Sequence, residues 1–131
     1  MLESLIARAL VAQFLTELLE RARDEPLRYL VTSDFRMHAG APSDLRGPNA
    51  LRPFLDGVRA AFDSPRLQVE DLLAEGDRVA ARFVFEADHA GTSAGVVPAG
   101  RRVRLHGMLM ARVRAGKVAE AWLEQDRLAF V

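Results

Sequence analysis

Glu75-Gly76-Asp77-Arg78-Val79-Ala80-Ala81-Arg82-Phe83-Val84-Phe85-Glu86-Ala87-Asp88-His89 is the stretch on which the fold turns. Gly76-Asp77 is a turn signal, and the residues beyond it alternate between two sides. One side reads Val79, Ala81, Phe83, Phe85, Ala87 and His89; the other reads Arg78, Ala80, Arg82, Val84, Glu86 and Asp88. A strand that is apolar on one side and mostly polar on the other belongs to a sheet with a single packed face, the habit of antiparallel sheets. Downstream, Ala115-Gly116 separates a strand from Arg101 to about Arg114 from a last strand over Lys117 to Gln125, and so predicts a hairpin. Upstream, an Asp63-Ser64-Pro65 turn leads into a strand over Leu67 to Leu73. The Gly- and Ala-rich stretch Ala90 to Gly100 is a connection.

The first part of the chain changes period. Leu2, Leu5, Ile6, Ala9, Leu10, Gln13, Phe14 and Leu18 follow three-and-four spacing, which predicts a helix from about Glu3 to Arg23. Pro26 suits the first turn of a short second helix with Leu27, Leu30 and Val31 facing inward, ended by Ser33-Asp34. Phe35-Arg36-Met37-His38 is then a strand on which Arg36 and His38 share a side. It is broken by Ala39-Gly40-Ala41-Pro42-Ser43. Pro48-Asn49 opens a third helix whose buried stripe is Leu51, Phe54, Leu55, Val58, Ala61 and Phe62. Helices first and an antiparallel meander second, without strand–helix alternation, make an α+β domain.

The 131 residues fit one domain. Lys plus Arg and Asp plus Glu both total 18, so no net field draws the chain to polyanions and nucleic acid is not expected as a partner. Half the residues are hydrophobic and 27% are charged, the balance of a globular chain. There is no cysteine, which removes disulfides, thiolate nucleophiles and Cys-ligated metals. Glu3, Arg8, Glu17 and Glu20 interrupt the N-terminal apolar run. That run is therefore neither a signal-peptide core nor a membrane span, and a cytoplasmic location is expected.

The segment from Glu75 to His89, followed by His89-Ala90-Gly91, Gly95-Val96-Val97-Pro98-Ala99-Gly100-Arg101, Arg112-Val113-Arg114-Ala115-Gly116-Lys117-Val118 and Trp122 with Asp126, resembles the SnoaL-like polyketide cyclases. Asp34-Phe35 and Leu45-Arg46-Gly47-Pro48-Asn49-Ala50-Leu51 extend the resemblance, which runs from about Leu10 to Asp126. It implies the cone-shaped α+β barrel of the nuclear transport factor two-like superfamily, with N-terminal helices packed on a strongly curved, mainly antiparallel sheet around an apolar pocket. The same fold serves isomerases, epoxide hydrolases, cyclases and binding modules, so the pocket must name the reaction.

The family's cyclases close a ring by an intramolecular aldol step without metal or organic cofactor, using an Asp on the last strand and Gln and His helpers. Here the matching positions are Leu123, Gly107 and Leu109, so the standard mechanism does not carry over. An epoxide-hydrolase set fails as well, with Phe83, Phe85 and Leu123 at its polar positions. Counting back from Gly47, His38 falls where the isomerases of the superfamily carry their base. The resemblance thus implies His38 as a catalytic or ligand-orienting residue, with Arg36 beside it to hold an oxyanion. A loop cap at His38 and a surface position for Arg36 are the alternatives. His89 lies where the family places a His, serving either catalysis or loop bracing.

A pocket lined by Phe83, Phe85, Leu105, Leu109 and Leu123, with Gln125 and Asp126 near its mouth, suits a small apolar or aromatic substrate. His38, His89 and His106 form no close metal-binding element, and His106 has the parity of the outer face, so no metal is expected. These features together imply ring closure or isomerisation of a polyketide-like molecule by proton transfer. The alternatives are a binding protein without turnover and a hydroxylase-like relative. Arg104, His106, Met108, Met110, Arg112 and Trp122 on the outer face imply a homodimer.

Overall fold

The computed structural model describes residues 2–40, 45–90 and 100–126. Helix α1 (Leu2–Leu15) runs into a π-helical turn over Thr16–Arg21. The change of winding falls where the Thr16 hydroxyl donates back to the Ala12 carbonyl at 3.1 Å. Such back-bonding competes with the regular ladder. Ala22 then ends the helix in the left-handed region at φ 49°. Short α2 (Asp24–Arg28) follows, with Pro26 inside its first turn. After β1 (Val31–His38), a 3-10 turn over Gly47–Leu51 leads into α3 (Arg52–Ala61). The meander is β2 (Phe62–Glu75), β3 (Arg78–His89), β4 (Arg102–Arg114) and β5 (Lys117–Gln125).

The sheet order is β1-β5-β4-β3-β2, with β1 parallel to β5 and every other pair antiparallel. Helices and a mixed five-stranded sheet thus form the expected α+β cone. The sheet is open rather than a closed barrel, since β1 and β2 are its two edges among the described residues.

Two elements begin earlier than the sequence reading placed them. Val31 belongs to β1 and not to a helix: it lies opposite Val118, and the Val118 N–H donates to the Leu30 carbonyl at 2.8 Å. Ser33-Asp34 is an irregularity within the strand, since the pairing shifts between Val31 and Arg36. Likewise β2 starts at Phe62, opposite His89, and Asp63-Ser64-Pro65 is a bulge within it that includes Ser64 at φ 51°. Most of the Ala90 to Gly100 connection lies outside the described residues.

The helices cover one face of the sheet. Val11, Phe14, Leu15, Leu18 and Leu19, with Leu27, Leu51 and Leu55, pack against Phe35, Val79, Phe83, Phe85, Leu109 and Ala121. Phe14 and Phe35 meet with ring centroids 5.9 Å apart, an aromatic contact between the two layers. The 3-10 turn presses against β1 so closely that a β-carbon on Gly47, at φ 69°, would lie 2.5 Å from the Ser33 carbonyl oxygen. Glycine is required there twice over, by space and by backbone angle.

Candidate functional site

The core face of β3, β4 and β5 is built from alternating small and large apolar side chains. Phe83 lies opposite Gly107, Phe85 opposite Leu105, and Ala81 opposite Leu109, which faces Leu123 on β5. A β-carbon placed on Gly107 would collide with the Phe83 ring, so the tip of that ring stands on the glycine backbone. Solvent does not reach Phe83 (0% exposed), whereas Met37, Leu105 and Leu123 keep 8%, 7% and 4% exposure. All four side chains are thus packed into the core, Phe83 at its centre and the other three nearer its margin.

His89 is fully buried at the far end of β3. Its backbone N–H donates to the Arg101 carbonyl at 2.8 Å, and its carbonyl accepts from the Gly100 N–H at 2.6 Å. Its ring meets Phe62 edge-on at 6.0 Å, and Phe62 in turn meets Phe85 edge-on at 5.1 Å. A chain of rings, Phe85–Phe62–His89, thus joins the imidazole to the apolar lining.

His38 is elsewhere, and its expected place at a pocket entrance is corrected. Phe35 and Met37 take the inner side of β1, so alternation sends Arg36 and His38 to the outer face. There His38 lies opposite Trp122 and Arg36 opposite Glu120. The His38 ring stacks on the Trp122 indole at 5.2 Å and 13°, and its Nε2 is 2.7 Å from Glu120 Oε2. Arg112 reaches the other Glu120 oxygen at 3.3 Å, and the Arg78 guanidinium lies 5.5 Å from the Trp122 ring centre. Burial alone would raise the Glu120 pKa, but hydrogen bonds and charge from His38 and Arg112 bring it below the ordinary carboxylate range.

The remaining polar positions gather at the end of β5. Gln125 lies opposite Gly107 and is exposed. Asp126 prolongs the β4–β5 pairing: its N–H donates to the His106 carbonyl at 2.9 Å, and its carboxylate accepts from the His106 N–H at 3.0 Å. The exposed His106 side chain is on the outer face.

Of the expected site residues, the structure brings Phe83, Phe85, Leu105, Leu109, Leu123 and His89 to one face and leaves Arg36 and His38 on the other. Met37 and Phe62 complete the inner lining and were missed as site residues. The inward parity of Phe35 was the signal for Met37. Among the described residues no cluster of three His, Cys, Asp or Glu side chains is placed to hold a metal ion. No helix among them is long and apolar enough to cross a membrane.

Comparison with known proteins places this geometry. No curated protein matches the chain. A candidate SnoaL-like polyketide cyclase from Jannaschia sp. CCS1 superposes with a TM-score of 0.81 at 22% identity, over 96% of this chain and 89% of that one. IdmH, a candidate polyketide cyclase from Streptomyces antibioticus, gives 0.77 at 26% identity over 92% and 91%. AclR, a candidate hydroxylase from Streptomyces galilaeus, gives 0.76 at 27% over 92% and 74%. The family model of the SnoaL-like polyketide cyclases matches residues 9–131. With nearly the whole sequence inside that match and the helix-covered sheet in place, the chain belongs to the SnoaL-like polyketide cyclase family.

Proposed function

We propose that the chain is a cytoplasmic, cofactor-free enzyme that binds a flat, apolar, polyketide-like molecule against the core face of the sheet and promotes ring closure or isomerisation by proton transfer. The observation that carries this reading is the position of His89. It is the imidazole on the core side, joined through Phe62 and Phe85 to the apolar lining, while the family's acid and helper positions hold Leu123, Gly107 and Leu109. An imidazole ring can both accept and donate a proton, so one side chain can serve as base and as acid. In this assignment His89 moves the proton, and the shape of the lining folds the substrate. His38, held by Glu120 and Trp122, is a positioning residue for the end of β1.

Solvent-deuterium incorporation into an aromatic β-keto ester tests the assignment. The wild type is expected to exceed the buffer rate, His89→Gln to lose at least about a hundredfold of that acceleration, and His38→Ala to stay within about twofold. Equal rates for His89→Gln and wild type would remove the proton-transfer role. A second reading, ligand binding without turnover, is favoured by the apolar side chains at Leu109 and Leu123 and is the outcome if probes bind but never exchange. Oxygen-dependent product formation would instead point to hydroxylation.

The partner we propose for the outer face is a second copy of the chain. Met108 and Met110 are exposed beside Trp122, and the surrounding charges are already paired within the chain, Arg82 with Glu70 and Asp71, and Arg112 with Glu120.

A further inference from the structure

We infer that the groove between the first turns of α1 and the tips of the β2–β3 and β4–β5 hairpins is a binding site for a compact aliphatic ammonium ion. The groove has a volume of about 470 Å³, within the range that small ligands occupy. It adjoins the start of β3, whereas His89 is the last residue of that strand, so the inference does not depend on the proton-transfer reading above. The turns explain why the space is there. Gly76 and Gly116 line it at φ 59° and 76°, and a β-carbon on either would meet no atom within 4 Å. Hairpin tips built on glycine thus leave the space beside the helix unfilled. Leu10 and Val113 line the groove and also pack against the core, so its deep side is apolar. Ile6, 54% exposed, adds an apolar flank open to solvent.

Charge selects the occupant. Glu3 and Asp77 line the groove, and no basic side chain does. Glu3 has no ion-pair partner among the described residues. Asp77 is held by its backbone, whose carbonyl accepts from the Val113 N–H at 2.8 Å. Its carboxylate meets Arg78 only at 3.7 Å, and the Arg78 guanidinium lies 5.5 Å from the Trp122 ring centre. An ammonium ion on a short apolar body satisfies both features, its charge beside the carboxylates and its hydrocarbon on Ile6, Leu10 and Val113. A neutral molecule gains only the second, and an anion meets repulsion.

Titration of the full chain with cyclohexylmethylammonium, cyclohexylmethanol and cyclohexanecarboxylate, followed by backbone amide shifts in NMR spectra, tests the site. The three probes share one aliphatic ring and differ in charge. The ammonium probe is expected to give saturable shifts at Gly76, Val113 and Gly116 and to bind at least about threefold more tightly than the alcohol, the scale of one exposed ion pair. The carboxylate should leave these amides unmoved. Glu3→Gln and Asp77→Asn should each bring the ammonium affinity towards that of the alcohol without changing the alcohol's own. Ile6→Ala should weaken both probes alike, by about threefold. All three replaced side chains are exposed, so the variants remove no core contact. Equal affinity for ammonium and alcohol, or an ammonium affinity unchanged in both Glu3→Gln and Asp77→Asn, overturns the inference. Shifts confined to amides away from the two hairpin tips, or no saturable shift within the solubility of the ammonium probe, overturn it as well and leave the reading of His89 untouched.

Discussion

At the scale of single residues, Phe83 and Gly107 are in close contact across β3 and β4. A methyl group at 107 cannot be accommodated without moving the ring, and overpacking of this kind costs about 1–3 kcal/mol. Gly107→Ala is therefore expected to lower stability in urea by about that amount, even though alanine restricts the unfolded chain more than glycine does. In a Phe83→Ala background the same substitution has no ring to meet, so its cost should vanish or change sign. A double-mutant cycle by chemical denaturation measures the coupling directly. Additive effects would mean that the two residues are not in contact. The two inner-face leucines at 109 and 123 make no such demand, since each lies opposite the other with its backbone in regular register.

At the scale of elements, the edge strand β1 is fastened by charge as well as by its ladder, to Arg114 of β4 through Asp34 and to Glu120 of β5 through His38. Near its start, Asp34 accepts from Arg114 and from Thr32 at 2.8 Å, and these partners hold its carboxyl down to about 2. At its end, His38 and Arg112 hold Glu120 below the usual range against the opposing effect of burial. A carboxylate whose folded pKa is depressed contributes stability that is present above its unfolded pKa and is lost as pH falls through the folded one. Melting temperature is accordingly expected to fall on acidification, starting near the ordinary glutamate value of ~4.3 and continuing towards about 2, where Asp34 takes up its proton. Glu120→Gln should make this acid limb shallower, and Asp34→Asn should do so at its lower end. Parallel acid limbs for wild type and both variants would refute the fastening.

The same strand shows what the sequence could and could not disclose. β3 and β5 are legible to their last residues, because a glycine-containing turn marks the start of each and most inward positions keep a two-residue spacing. β1 and β2 are not, because each contains a bulge. Ser33-Asp34 and Asp63-Ser64-Pro65 have turn chemistry, but the paired residues on either side keep them inside the sheet. The inner lining was readable for a related reason: Phe83, Phe85, Leu105, Leu109 and Leu123 follow a strict two-residue period. The face of His38 was not, since counting positions back from Gly47 says nothing of which side Phe35 and Met37 fill. Only the packing of those two side chains against the helices settles the parity of the strand.

At the scale of the whole molecule, the two faces of the sheet differ in chemistry. The inner face is closed by helices and carries His89; the outer face holds both signs of charge in short cross-strand pairs around Trp122, Met108 and Met110. Paired charges can approach a second surface without leaving an unmatched ion behind, whereas two exposed methionines beside a tryptophan gain from being covered. A self-complementary contact of this kind closes as a two-fold dimer. Light scattering at micromolar concentration is expected to give about twice the 14.5 kDa chain mass. Met108→Asp with Met110→Asp should shift the population to single chains, since both side chains are exposed in the isolated fold and their replacement removes no core contact. Each new carboxylate would also face unpaired burial in the contact. A single-chain mass for the wild type, or a dimer that survives both substitutions, would move the contact away from this face.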